Sequence, residues 1–172
     1  ADDRKPEWDS RLEEHTLTEG RPVLDSALKA MRILSSETEL KTLVSRMMDI
    51  VMEHAGAERT IVLLKQKGKW YIQASGDYQH NTYEIMLNLP WSPQSTPQCD
   101  PPVPTSVVNL CLHSEQSLST TDARNDKRFS SDPYIKHKRV RSILCLPLRY
   151  QGRINAVLYL ENRSTPAVFE HT

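Results

Sequence analysis

The sequence predicts an α+β fold in which helices pack on an antiparallel β-sheet. Hairpin connections dominate over the helical crossovers that a parallel sheet requires. In addition, the segments 143–148 and 154–160 are apolar at nearly every position, so both faces of the strands they form should be covered. Gln151-Gly152 lies between them, where glycine can adopt the positive φ that a tight hairpin turn requires. We therefore expect a central hairpin inside a layered domain.

Length and charge indicate one soluble domain that has no strong electrostatic attraction to charged partners. The chain has 172 residues, and its 22 basic and 22 acidic residues give a formal net charge of zero. A general attraction to nucleic acid or to an anionic membrane is therefore not expected. No apolar run approaches the roughly 18 residues of a spanning helix. Three cysteines are too few for a disulfide framework, so we expect thiols in the cytoplasm.

The N-terminal part divides into a leader and the first helix of the domain. Residues 1–21 are highly charged and are interpreted as a leader or linker, and residues 22–172 as the domain. From Val23 to Leu34, apolar residues recur at helical spacing and form one stripe. We expect this terminal helix to mediate a homodimer.

A second helix is predicted from the capping box formed by Ser36 and Glu39 to Ala55, with Gly56 placed to end it. One face of this helix is apolar and should pack in the core. It carries Leu40, Leu43, Val44, Met47, Met48, Val51 and Ala55.

Three β-rich segments follow. Arg59–Leu64 and Trp70–Ala74 are predicted to form a hairpin with a polar tip at residues 65–69. Thr82–Leu89 is the third candidate strand, in which apolar residues alternate with mostly polar neighbours. The alternating residues are Tyr83, Ile85, Leu87 and Leu89. Pro90–Pro104 contains six prolines and should be an irregular surface loop.

The second half of the chain is predicted to begin with a helix that Thr105 caps and that ends near Glu115. Gln116–Thr121 indicates a strand, and Asp122–Ser131 is a polar loop around Phe129. Asp132 and Pro133 suit the N-cap and first position of a short helix that ends at Lys138. In the central hairpin, Pro147 cannot donate to a ladder, so we expect a local irregularity there.

The order and motifs of these elements resemble the GAF domain family. Residues 122–162 contain a "D…D.RF" loop and short helix, an "SILC.P" strand, a glycine turn and a "LEN" strand, as the second half of a GAF domain does. The capped helix followed by Gly56-Ala57-Glu58-Arg59 is similar to the family's opening. Within the family, the sequence resembles most the GAF modules of multidomain sensor histidine kinases, through Val103-Pro104-Thr105-Ser106 and Asp132-Pro133-Tyr134-Ile135.

This resemblance implies a sheet of about six antiparallel strands and a sensory or dimerising module without catalysis of its own. It also implies a small ligand held between the sheet and the loop-rich face. We expect the loop 122–131 and the helix after it to form the wall of that site. The candidate ligand-binding residues are Asp122, Phe129, Ser130, Asp132, Tyr134 and Ser142. Phe129 is equally suited to stacking on a ligand and to filling the core.

Other members of the family suggest two alternative functions. The first is the cyclic-nucleotide-binding GAF domain of a phosphodiesterase or cyclase, because Asn162-Arg163 and Phe169 resemble the first parts of the pattern that such domains carry after the last strand. The remainder of that pattern, like the family's closing helix, would follow Thr172. Free methionine sulfoxide reductases use loop cysteines, a role open to Cys99 and Cys111 as nucleophile and resolving thiol. Covalent bilin attachment is not expected, because residues 130–132 are Ser-Ser-Asp where a cysteine would be needed.

No cofactor or metal is predicted. Cys111 and His113 would supply only two ligands, where a metal site normally needs three or four. The basic residues 136–141 are interpreted as solvated cations at a helix C-terminus, in preference to a phosphate or nucleic-acid site. The sequence thus predicts a regulatory GAF module of a signalling protein, most simply a sensor histidine kinase.

Overall fold

The computed structural model describes residues 56–93, 101–150, 153–166, 168 and 169, together with the helical residues 41, 44–46, 48, 49, 51 and 52. The leader, the predicted helix Val23–Leu34, Cys99 and the turn Gln151-Gly152 lie outside these residues.

Six strands form one antiparallel sheet with the spatial order β3-β2-β1-β6-β5-β4. They are β1 (Arg59–Gln66), β2 (Lys69–Asp77), β3 (Thr82–Trp91), β4 (Leu118–Thr120), β5 (Ser142–Tyr150) and β6 (Arg153–Asn162). Helix α1 (Thr105–Ser114) precedes β4, and helix α2 (Pro133–Lys138) precedes β5. The predicted α+β class, the six antiparallel strands and the central hairpin β5–β6 are confirmed.

Both faces of the sheet are covered, as the apolar hairpin strands predict. On one side, Leu158 and Leu160 of β6 join a core with Val44, Met48 and Val51 of the N-terminal helical residues. We call this side the helix face. On the other side, Val157 and Tyr159 join a second core that includes residues of α1, α2 and the loop 122–131. We call this side the loop face. Alternate residues of each strand therefore serve two separate cores.

Packing on the helix face is close at Gly76 on β2. A Cβ atom built there would lie 2.6 Å from Met48 Cε and 2.8 Å from Met52 Sδ. Because both distances are shorter than ordinary van der Waals contact, the two methionines occupy the space that a side chain at residue 76 would need. The absence of a side chain lets the helical residues approach the sheet closely.

The hairpin β1–β2 turns through only two residues. Gln66 pairs with Lys69, and Lys67 and Gly68 between them have φ values of 50° and 77°. Two consecutive positive φ values are typical of a type I′ turn, whose twist matches that of the strands. The predicted polar tip at residues 65–69 is therefore shorter in the structure, since the strands extend into it.

Strand β3 departs from the predicted alternation after Ile85. Met86 and Asn88 have positive φ values of 56° and 49°, and the pairing with β2 shifts register between Ile72 and Ala74. This bulge moves Leu87 to the loop-face core, whereas Tyr83 and Ile85 pack on the helix face. Leu89 is 48% exposed. The prediction of one apolar face along Tyr83, Ile85, Leu87 and Leu89 is therefore wrong beyond the bulge.

A buried glutamine holds the bulge in place. Gln73 Nε2 donates to Asn88 Oδ1 over 2.7 Å, and the Asn88 backbone N–H donates to Gln73 Oε1 over 3.1 Å. This pair of bonds satisfies the polar atoms of a side chain that is fully buried.

The proline-rich segment is more ordered at its ends than predicted. Pro90 and Trp91 belong to β3, an edge strand, where a missing N–H is tolerated. Val103 and Pro104 are buried, so residues adjoining α1 contribute to the core. In β5, Pro147 pairs with Val157 and the register shift falls between Leu148 and Arg149, just after the expected place.

Candidate functional site

Asp132 connects the N-termini of both helices. As the N-cap of α2, its Oδ1 accepts a 2.8 Å hydrogen bond from Tyr134 N–H, as the sequence predicts. Its Oδ2 accepts from Ser106 N–H at 3.1 Å and from the Ser106 hydroxyl. The N-cap position of α1 is Pro104, which makes no side-chain cap bond. The prediction that Thr105 caps α1 is therefore wrong, because Asp132 satisfies this helix end from 26 residues away.

Tyr134 extends from α2 to a buried carboxylate on β6. Its hydroxyl donates to Glu161 Oε1 and Oε2 over 2.9 and 3.0 Å, and accepts a hydrogen bond from Arg59 Nη1. Tyr159 also donates to Glu161, over 2.7 Å, and Arg163 Nη2 donates over 3.0 Å. We call these five residues the Glu161 cluster. They come from β1, α2, β6 and the segment after β6.

The Glu161 cluster is a satisfied buried charge. The Glu161 side chain is fully buried, whereas the side chains of Arg59 and Arg163 are 25% and 38% exposed. Burial and the nearby Glu161 carboxylate raise the pKa of both Tyr134 and Tyr159. Both phenols therefore stay protonated and act as donors. A carboxylate that accepts from two phenols and a guanidinium is suited to joining elements, not to removing a proton from a substrate.

Sequence reasoning identified Tyr134 but not its partners Glu161 and Arg59. A signal was present in β6, where Glu161 falls on the same strand face as Val157 and Tyr159. A carboxylate that continues an apolar face must be paired with donors when it is buried. Those donors could not be identified from the sequence, because Arg59 and Tyr134 lie on other elements.

A family model described as GAF domain matches residues 39–172. This chain belongs to the GAF family. The computed fold is similar to the GAF domain of A. aeolicus nlh2 in an inactive state. The TM-score is 0.50 at 12% identity, over 86% of this chain and 80% of that one.

Two curated relatives of this GAF domain are histidine kinases. The chain is 39% identical over 66 residues, 38% of its length, to hybrid signal transduction histidine kinase G of Dictyostelium discoideum. The chain is 26% identical over 155 residues, 89% of its length, to peroxide stress-activated histidine kinase mak3 of Schizosaccharomyces pombe. The chain spans 2% and 6% of the lengths of these two relatives. A sensory or regulatory GAF domain is supported, since the family is regulatory and these homologues are kinases.

The remaining candidate residues of the GAF domain lie in the loop 122–131 and at the start of β5. Asp122 Oδ2 accepts a 2.9 Å hydrogen bond from Asn125 Nδ2, within its own loop. Phe129 is 1% exposed and belongs to the loop-face core, with the Arg128 guanidinium 4.8 Å from its ring centroid. Ser130 is half-buried, and its N–H donates to the Asp126 carbonyl. Contact of these residues with a ligand stays a prediction.

Ser142 holds the segment after β6. Its hydroxyl donates to the Thr165 carbonyl over 2.7 Å and accepts from Val168 N–H over 3.1 Å. These hydrogen bonds of Ser142 thus join β5 to the segment after β6 and involve neither Asp132 nor Tyr134.

Glu58 and Asn162 connect the segment before β1 with the segment after β6. Glu58 accepts from the N–H groups of Arg163 and Ser164, over 3.0 and 3.3 Å. Asn162 Nδ2 donates to the Gly56 carbonyl over 3.2 Å, and its Oδ1 accepts from Thr165 N–H over 2.7 Å. We call Gly56, Glu58 and residues 162–165 the chain junction. It adjoins the Glu161 cluster through Arg163.

Of the predicted reductase pair, Cys111 lies in the described part of the chain, and the pairing with Cys99 stays a prediction. Cys111 and Cys145 are both free and fully buried on the loop face, and Cys99 is outside the described residues. The Cys111 thiol donates to the Cys145 carbonyl oxygen over 3.8 Å.

Among the described residues, no group of three or more His, Cys, Asp or Glu side chains is arranged to hold a metal ion. Lys136, His137 and Lys138 lie in the last turn of α2, in agreement with their interpretation as cations at a helix C-terminus. Within the same part of the chain, none of the helices is long and apolar enough to cross a membrane.

Proposed function

We propose that this GAF domain is the cytoplasmic sensory module of a histidine kinase, in which a small ligand bound on the loop face changes kinase activity. The observation that carries the proposal is the bond between Tyr134 and Glu161. It links α2, next to the candidate ligand-binding loop, to the end of β6, next to the chain junction. The two histidine kinase relatives support the proposal that the regulated activity is that of a histidine kinase.

The proposed path has three steps, each made by hydrogen bonds. Asp132 ties the start of α2 to α1, so the two helices that cover the loop face move together. Tyr134 ties α2 to Glu161. Arg163 then ties Glu161 to the chain junction, where Glu58 binds the Arg163 and Ser164 backbone. A ligand that displaces α2 must break these bonds or move the junction with it.

The energy of one step is large enough to regulate a kinase. Separation of Tyr134 from Glu161 removes a donor from a buried carboxylate, which costs about 1–3 kcal/mol. Typical allosteric couplings are also about 1–3 kcal/mol and correspond to roughly 5–150-fold changes in affinity. The Tyr134–Glu161 bond alone can therefore supply the difference between two signalling states.

We further propose that the domain works as a homodimer through the apolar stripe of residues 23–34. This helix lies outside the described residues, so the proposal depends on its sequence pattern. Sedimentation of the chain over a range of concentrations tests it. A monomer at every concentration, with the helix intact, would contradict the dimer.

The test of the sensory function uses the full-length protein that contains this chain. Native mass spectrometry with a panel of nucleotides, cyclic nucleotides and metabolites identifies a bound ligand, and autophosphorylation is then measured with and without it. Wild-type protein should change its rate of autophosphorylation when the ligand binds. Tyr134→Phe should bind the ligand but respond about tenfold less, because the ring remains and only the bond to Glu161 is lost.

Tyr78→Phe is the matched control, since Tyr78 lies in a turn and is 56% exposed. This variant should respond as the wild type does. An equal response in Tyr134→Phe and wild type would reject the proposed path. A protein that binds nothing from the panel and has constant activity would reject the sensory function itself.

A further inference from the structure

The two buried thiols of the loop face form a pair that the proposed signalling path does not use. Cys111 lies on α1 and Cys145 on β5, and each is fully buried in the same core. The Cys111 sulfur lies 3.8 Å from the carbonyl oxygen of Cys145 itself. The thiols thus come from separate elements, helix and strand, and meet at their contact.

The closed core keeps this pair unreactive. A hydrogen bond with the Cys111 thiol, together with burial, raises the pKa of Cys145 well above its ordinary value. Because the thiolate is the nucleophile in thiol oxidation, a protonated thiol without solvent access reacts slowly. Oxidation therefore requires a state in which α1 has moved away from the sheet.

The N-terminal attachment of α1 is the place where such an opening would start. The helix makes no side-chain cap bond at its own N-cap residue, Pro104. Its N-terminus is bonded instead to Asp132, through the Ser106 N–H and hydroxyl. Loss of these bonds frees the end of α1, whereas Cys145 stays in β5, which pairs with β4 and β6. Cys111 is therefore the thiol that opening exposes.

We propose that Cys111 and Cys145 are a redox modification site, which a peroxide oxidises to a reversible disulfide when α1 opens. The Cys111 thiolate attacks one peroxide oxygen, the O–O bond breaks, and the departing oxygen leaves as water with the thiol proton. This step leaves a sulfenic acid on Cys111. When α1 closes, Cys145 sulfur attacks the Cys111 sulfur, the S–S bond forms, and the sulfenic oxygen leaves as a second water. The two thiols lose two electrons in total, and one hydrogen peroxide becomes two waters.

The consequence is a covalent connection between α1 and the sheet. A disulfide holds two sulfurs about 2.05 Å apart, so α1 can no longer leave β5. Oxidation would fix the loop face in its closed arrangement, whether or not a ligand is the natural signal. A thiol reductant restores the mobile state.

The experiment treats the folded 172-residue chain carrying Cys99→Ser with hydrogen peroxide, then blocks free thiols and maps the peptides. We expect a disulfide between the peptides of Cys111 and Cys145, with the loss of two hydrogen atoms in mass, and its reversal by dithiothreitol. Cys145→Ala in the same background should abolish it. If folded protein forms the pair no more than protein oxidised in urea, or if Cys111 remains free, the proposal is wrong.

The role of α1 opening is tested by the rate of the same reaction. Ser106→Ala removes the hydroxyl bond to Asp132 and should speed disulfide formation about fivefold, since a weaker attachment raises the population of the open state. Ser119→Ala is the control, because Ser119 is an exposed serine on β4. Equal rates in Ser106→Ala and Ser119→Ala would overturn opening of α1 as the gate.

Discussion

The hydroxyl of Tyr134 on α2 donates to both carboxylate oxygens of Glu161 on β6, at 2.9 and 3.0 Å, across 27 residues of sequence. A tyrosine from the loop face thereby donates a hydrogen bond to the buried Glu161 carboxylate of the sheet. The same hydroxyl accepts from Arg59 on β1, so one oxygen atom connects three elements.

Tyr134→Phe should destabilise the domain while preserving its core. The buried ring remains, but Glu161 loses one donor and Arg59 loses one acceptor. We expect the free energy of unfolding to fall by about 1–3 kcal/mol, as for other buried polar groups that lose a partner. Urea unfolding measures the change, and Tyr78→Phe should stay within about 0.5 kcal/mol of wild type. An unchanged midpoint for Tyr134→Phe would mean that the bond contributes nothing.

Asp132→Ala should cost more stability than Thr105→Ala, although Thr105 is the residue that sequence reasoning chose as a cap. Asp132 bonds the N-termini of α1 and α2, so its loss uncaps both helices. One cap is worth about 0.5–2 kcal/mol, and we expect about 2 kcal/mol for the pair. Thr105→Ala should change the unfolding free energy by less than about 0.5 kcal/mol. The reverse order in urea unfolding would contradict the assignment of the cap.

Gly76→Val should disrupt the packing between the helix face and β2. The added side chain would start 2.6 Å from Met48 Cε and 2.8 Å from Met52 Sδ. We expect destabilisation of about 1–3 kcal/mol from overpacking. Gly76→Ala should cost less, because the ends of the methionine side chains are flexible. Gly68→Asn is the control, since nothing lies within 4 Å of its Cβ position and asparagine tolerates the φ of 77°.

Asp126 should contribute a pH-dependent part of the stability. The side-chain hydrogen bond from Arg128 lowers the pKa of Asp126 from 3.8 to about 2. A lowered carboxyl pKa stabilises the folded state above the unfolded-state value, and this contribution is lost as the pH falls from about 4 through about 2.

Asp126→Asn should therefore reduce the unfolding free energy at pH 7 by about 1 kcal/mol, a value that allows for solvent screening at the half-exposed Arg128. Near pH 2 the difference from wild type should shrink. Urea midpoints at about pH 7, 4 and 2.5 measure it across the range in which Asp126 titrates. A difference that grows towards acid would have the wrong sign.

The predictable parts of the fold are those that neighbouring residues determine. Strands β5 and β6 were evident because both of their faces are apolar, and the N-cap at Asp132 because Pro133 follows it. The bulge in β3 was not predicted, since the positive φ of Met86 depends on its pairing with β2. Glu161 was missed for a similar reason. Its buried carboxylate is stabilised by Tyr134 and Arg59, which the fold brings from other elements.

The chain junction also determines how the domain responds to force. Arg59 pairs with Glu161 at the end of the β1–β6 ladder that adjoins the chain junction. Tension between the flanking segments would therefore pull these antiparallel strands apart from one end, as a zipper opens. Val44, Met48 and Phe169 would first have to leave the helix-face core. The bonds of Glu58 and Asn162 would then carry the load, and the pairs of the ladder would fail one after another. A pull on both termini would therefore disrupt the Glu161 cluster before β1 and β6 separated in the middle of the sheet.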